Sequence, residues 1–75
     1  MNNQQTESLL TLLVNDIRHQ VPSGTSLSQL LTILDVESNS VALVCNGQVV
    51  PKNLWQSTCC EDNAQIELFG AVAGG

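Results

Sequence analysis

Apolar and polar residues change rhythm several times along this chain, and each change marks an element. Leu9 to Val14 is a short apolar run interrupted by a single threonine, rich enough for a strand. Asn15-Asp16 comes next as a turn pair, and Ile17-Arg18-His19-Gln20-Val21 resumes with apolar residues at its two ends. Two short runs about a two-residue turn predict a β-hairpin. Pro22-Ser23-Gly24 breaks the strand, and Thr25 or Ser26 can cap a helix beginning there. Leu27, Leu30, Leu31 and Leu34 then fall at i, i+3, i+4 and i+7, with Ser28, Gln29 and Thr32 between them. That spacing predicts a helix with one apolar stripe aimed at a sheet, and Ile33 beside the stripe is expected to widen it.

Beyond a polar connection from Asp35 to Ser40, Val41-Ala42-Leu43-Val44-Cys45 is continuously apolar. A strand covered on both faces, or one in the sheet centre, reads this way. Asn46-Gly47 is a strong hairpin signal, because both residues tolerate positive φ. Gln48-Val49-Val50 is a short return strand stopped by Pro51. Residues 52–60 predict 3₁₀ or irregular helix, with Leu54 and Trp55 pinning it to the core. Glu61-Asp62-Asn63-Ala64 is a turn, and Ile66-Glu67-Leu68-Phe69 resumes a strand that leads into Gly70 and the tail.

This order predicts an α+β fold: a four- to five-stranded mixed sheet packed on one main helix, with the last strand parallel to the first and inside the sheet. The expected organisation is a polar leader at 1–8, a folded domain at 9–70 and a flexible tail at 71–75.

Composition narrows the function. Seventy-five residues make one small domain, with little room for a deep catalytic pocket. Arg18 and Lys52 are the only cations against seven carboxylates, giving a net charge of -5. Nucleic acid and anionic membranes require a basic patch, so neither is an expected partner. A basic protein surface suits this charge better. No apolar run is long enough to span a membrane, and the residues from Met1 to Glu7 lack the basic start of a signal peptide. A cytoplasmic location is the expectation.

Three cysteines, Cys45, Cys59 and Cys60, do not suggest a disulfide framework. Cys45 reads as a small buried hydrophobe; of the vicinal pair, one is expected to pack inward and the other to face water. His19 has no obvious companion for a metal site and reads as a surface strand residue. Glu61 and Asp62 read as a solvated turn. No Ser-His-Asp set or phosphate-binding glycine loop is evident, so an enzyme is not expected.

Ala71-Val72-Ala73-Gly74-Gly75 holds the candidate chemistry. Two glycines without Cβ atoms make a thin tip able to enter a narrow site on another protein. A terminal carboxylate at Gly75 is a group that can be activated.

Together the Asn15-Asp16 hairpin, the leucine helix, the segment from Val41 to Pro51, Trp55 four residues after that proline, Ile66-Glu67-Leu68-Phe69 and the Val72-Ala73-Gly74-Gly75 ending resemble the sulfur carriers of thiamine biosynthesis, the ThiS family of the ubiquitin-like β-grasp superfamily. The likeness covers residues 10–75. Where that family usually has Asp-Gly-Asp before its last strand, this chain has Asp62-Asn63-Ala64, and asparagine tolerates the required positive φ. The family's buried aliphatic before that turn is replaced by Cys59 or Cys60.

The resemblance implies a carrier that binds no cofactor of its own. A ThiF-like adenylating enzyme would use ATP and magnesium to couple Gly75 to AMP. A persulfide sulfur donor would then displace AMP and leave a thiocarboxylate, which the carrier would surrender to a ThiG-like thiazole synthase. Gly75 would carry the sulfur, while Gly74, Ala73, Val72 and Ala71 would lie in the partner's channel. The alternatives are the small subunit of molybdopterin synthase, a ubiquitin-like protein modifier and a plain binding module with an inert tail.

Overall fold

The computed structural model describes residues 8–70. Residues 1–7 of the leader expected at 1–8, and the tail at 71–75 with all five of the candidate site residues from Ala71 to Gly75, lie outside the described residues.

Two hairpins of the same kind build the sheet. Strands β1 (Leu9–Val14) and β2 (Ile17–Pro22) join through Asn15 and Asp16, both at positive φ (51° and 69°). Strands β3 (Val41–Cys45) and β4 (Gln48–Val50) join through Asn46 and Gly47 at φ 51° and 83°. Left-handed conformation at both central residues gives the turn whose twist matches that of the flanking strands. Strand β5 (Gln65–Gly70) inserts between the hairpins, parallel to β1 and antiparallel to β3, giving the order β2-β1-β5-β3-β4. The strand latest in sequence is therefore the middle of the sheet, in agreement with the expected topology.

Helix α1 (Leu27–Ile33) packs on one face of the sheet. Ser26 supplies the N-cap: its hydroxyl accepts from the Gln29 N–H at 3.1 Å, and the Gln29 side chain accepts from the Ser26 N–H at 3.0 Å. This reciprocal box satisfies two donors that have no partner inside the helix. At the other end Asp35 turns left-handed at φ 61°, the Val36 N–H returns to the Leu31 carbonyl and the Asp35 N–H to that of Thr32. The pair of bonds closes the helix in a Schellman arrangement usually completed by glycine.

Leu27, Leu30 and Leu31 meet Leu12, Val14, Val21, Leu43 and Ile66 of the sheet, and Trp55, Cys60 and Ala64 close the core from the side. Leu34 packs against its margin, but Ile33 is 54% exposed and does not widen the stripe. Seven helical residues make barely two turns, so one stripe suffices to cover the sheet. Of the pair expected to pin residues 52–60, Trp55 is buried whereas Leu54 is 44% exposed. The 3₁₀ turn at Lys52–Leu54 rotates Leu54 outward as it brings the indole inward. A second 3₁₀ turn, Ser38–Ser40, lies within the polar connection. Asn63 takes φ 67°, so asparagine does sustain the turn before β5.

Cys60 is buried, in the place of the expected aliphatic, and Cys59 is exposed. Burial pushes the Cys60 thiol up to about 11 from 9.0, with the nearby Cys45 and Cys59 adding to the shift. Cys45 is half-buried rather than fully enclosed, and its thiol is also raised, mainly by burial and then by Glu61.

Candidate functional site

The site is built from β5, because β5 is what precedes the tail. Ile66 and Leu68 alternate inward with burial, while Gln65, Glu67 and Phe69 point to the opposite face. Both neighbouring strands bond to β5, and both hairpin turns reinforce it with asparagine side chains. On the β3 side the Asn46 N–H donates to the Gln65 carbonyl at 2.8 Å, and the Gln65 N–H donates back to Asn46 Oδ1 at 2.9 Å. On the β1 side the Asn15 N–H donates to the Ile66 carbonyl at 2.9 Å, and the Leu68 N–H donates to Asn15 Oδ1 at 2.9 Å. Upstream, the Asn63 N–H reaches the Thr11 carbonyl, and the Thr11 N–H reaches the Asp62 carboxylate at 2.9 Å. The chain from Asp62 to Leu68 is thereby tied to β1 along its length. Gly70, the last described residue, still pairs with Val41 of β3.

The outer face of the sheet decides between the two readings of the β3 run. Register places Ala42 beside Phe69, and Val44 beside both Glu67 and Val49, all on the side away from the helix. Phe69 is 57% exposed and Val49 70% exposed. Among the described residues nothing covers them. The continuous apolar run of β3 thus belongs to an interior strand, paired with β4 on one edge and β5 on the other, with only one of its apolar faces packed within the domain; of the two readings the run allowed, the interior strand is the one that holds. One signal did exist in the sequence. Phe69 has the same parity as Gln65 and Glu67, so an aromatic stands where a solvated strand face calls for a polar residue. Apolar side chains grouped on one exposed surface mark an interaction site more often than scattered ones do.

Among the described residues no three His, Cys, Asp or Glu side chains gather as a metal site, and no helix is long and apolar enough to cross a membrane. His19 sits half-buried on β2, opposite Leu12.

The ThiS family model matches residues 5–75, nearly the whole chain and the tail included. The chain belongs to the ThiS family. Among relatives, it is 36% identical over 66 residues to the sulfur carrier protein ThiS of Escherichia coli (strain K12), a match covering 88% of this chain and all of that protein. It is 29% identical over 66 residues to the uncharacterized protein ycf40 of Porphyra purpurea, covering 88% of this chain and 93% of that one. Among solved structures, the thiamine biosynthesis protein ThiS from Geobacter metallireducens superimposes with a TM-score of 0.76 at 25% identity, over 88% of this chain and all of that one. The five-stranded mixed sheet with one helix is that β-grasp fold.

Proposed function

We propose that this ThiS-family chain is a sulfur carrier of thiamine biosynthesis and that Gly75 is its working residue. The observation that supports the reading most is positional. A central strand, bonded on both sides, leads directly into Ala71-Val72-Ala73-Gly74-Gly75 and does so beside the exposed apolar side chains of Val49 and Phe69. A partner can grip the face while the tail enters its active site.

The chemistry explains why a tail is needed. A carboxylate resists nucleophiles because its charge is spread over two oxygens. Transfer of AMP from ATP to the Gly75 carboxylate, with release of pyrophosphate, creates a good leaving group. The terminal sulfur of a persulfide attacks the carbonyl and expels AMP, and thiol cleavage of the resulting acyl disulfide leaves a thiocarboxylate. A thiazole synthase then accepts the sulfur. Gly74 offers no side chain to a channel shaped around backbone. Ala71, Val72 and Ala73 line the approach. ATP and magnesium belong to the activating enzyme. The tail and the face do the carrier's share, and the carboxylates that make the net charge -5 favour encounter with basic partner surfaces.

Intact mass after incubation with an adenylating enzyme, ATP, magnesium and sulfide tests this. The expected gain corresponds to one oxygen replaced by sulfur, located at Gly75 and absent when Gly75 is deleted. No gain with an enzyme active on another carrier overturns the reading. The exposed apolar face would serve a protein modifier equally well. Covalent adducts joining Gly75 to lysines of other proteins, in place of a thiocarboxylate, would establish that second reading.

A further inference from the structure

We propose that Asn15 is a positioning residue that fixes where the final strand leaves the sheet, and hence the register in which the tail is offered to the activating enzyme. The inference rests on the carrier reading above. In a regular parallel ladder one residue donates its N–H to the neighbouring strand and accepts, through its own carbonyl, from the residue two places further along that strand. Asn15 makes the first bond, to the Ile66 carbonyl. It cannot make the second in the ordinary way, because at φ 51° its backbone has already turned into the hairpin. The side chain takes the carbonyl's place: Oδ1 accepts from the Leu68 N–H at 2.9 Å, and Nδ2 lies 3.5 Å from the Leu68 carbonyl.

The ladder is thus extended by one rung that no strand residue provides, and there it stops. The backbone register between β1 and β5 ends at Val14 and Ile66. By the period of two, the next groups of β5 that face β1 belong to Gly70, beyond the reach of Asn15. On the other side β3 continues to pair as far as Gly70. The strand is therefore held on two sides up to Leu68 and on one side for Phe69 and Gly70. Without the Asn15 amide the one-sided stretch would begin after Ile66, two residues earlier, and the tail would start from a less determined base.

Gly70 itself does not set this point. A Cβ there would meet only ordinary contacts, 3.8 Å from the Ser40 carbonyl oxygen and 3.9 Å from Val41 Cγ1.

Asn15→Gly keeps the left-handed turn and deletes the amide, while Asn15→Asp keeps an acceptor. Two measurements on the full chain separate the roles. The first is amide hydrogen exchange, in which N15G is expected to lose about tenfold or more of its protection at Leu68 while Leu12 and Leu43 keep theirs. The second is ATP–pyrophosphate exchange with the activating enzyme. A tail that spends less time in the competent register raises the apparent KM by the inverse of that fraction, so about a fivefold rise with kcat within about twofold is expected. N15D should restore both readouts to near wild type. Chains also lacking Gly74 and Gly75 should inhibit the exchange equally with or without N15G, since the docking face is intact.

Unchanged protection at Leu68, unchanged KM, or global loss of protection in N15G overturns the inference, the last because the residue would then be structural. If the wild-type chain itself supports no exchange, it is the carrier reading that fails, whatever Leu68 shows.

Discussion

The indole Nε1 of Trp55 donates a 2.8 Å hydrogen bond to the carbonyl of Val50. The bond spans Pro51 and ties the end of β4 to the 3₁₀ turn at Lys52–Leu54, while the ring itself is buried in the core. The bond and the ring contribute separably. Trp55→Phe keeps most of the apolar area but removes this donor to the Val50 carbonyl, for an expected loss of about 1 kcal/mol. Trp55→Ala removes the ring as well and is expected to cost about 3–5 kcal/mol. Urea denaturation of the two variants distinguishes the contributions, and equal losses would show that the hydrogen bond is immaterial.

The vicinal cysteines should behave differently. Cys59 is exposed and Cys60 buried, so a thiol reagent is expected to label Cys59 in the native state and Cys60 only on unfolding. Cys60→Ser places a hydroxyl in an apolar site and should destabilise by about 1–3 kcal/mol, with Cys59→Ser within about 0.5 kcal/mol of wild type.

The same burial predicts an alkaline limb. The Cys60 thiol is raised from 9.0 to about 11, so between those values the native state holds a proton that the unfolded chain has lost. Its contribution is complete below pH 9, falls as pH rises, and is spent above about 11. Cys45, also raised by burial, adds a limb of the same sign. Stability measured across this range should decline less steeply in Cys60→Ala than in wild type; parallel curves would remove Cys60 as the cause.

Asp35 closes the helix at φ 61°, a conformation a Cβ disfavours. Asp35→Gly removes that strain while keeping the Leu31 and Thr32 carbonyl bonds. Glycine's larger unfolded-state entropy offsets part of the gain, leaving an expected net stabilisation of about 0.5 kcal/mol. A higher urea midpoint at unchanged slope would confirm it, and a lower one would show that the carboxylate contributes more than its backbone costs.

Phe69→Ser tests the outer face. Because the ring is largely exposed, stability should change by no more than about 0.5 kcal/mol. Docking should weaken, with KM for adenylation rising about tenfold as roughly 1.4 kcal/mol of contact is lost. Leu68→Ser, one residue earlier but facing the core, should instead destabilise the fold.

Much of this is legible in the residues. The Asn46-Gly47 turn and the leucine stripe come from local pattern, and the placing of the last strand parallel to the first from the order of the elements. That one of the vicinal cysteines packs inward is legible too, but not which; the structure buries Cys60 and exposes Cys59. The features that escape the pattern have two physical sources. Periodicity reveals that a face is apolar but not whether anything covers it, which is why Val41–Cys45 allows two readings, covered on both faces or interior to the sheet, and why Ile33 and Leu54 read as buried. Side chains that bond to backbone far along the chain leave no local trace either. Asn15 and Leu68 are 53 positions apart, and Thr11 and Asp62 are 51. Asn15 and Asn46 read as turn formers; nothing nearby in sequence announces that each also clamps β5.

The central placement of β5 has a consequence for synthesis. Until Gln65–Gly70 has been made, β1 and β3 have no strand between them and the core lacks Ile66, so the two hairpins and the helix cannot close on one another. A copy truncated before β5 would expose two unpaired strand edges, a state prone to degradation and aggregation. Completion of the fold therefore certifies that translation has run through the strand next to the tail, and under the proposed carrier role a partner that docks on the assembled sheet meets only chains that have passed that inspection.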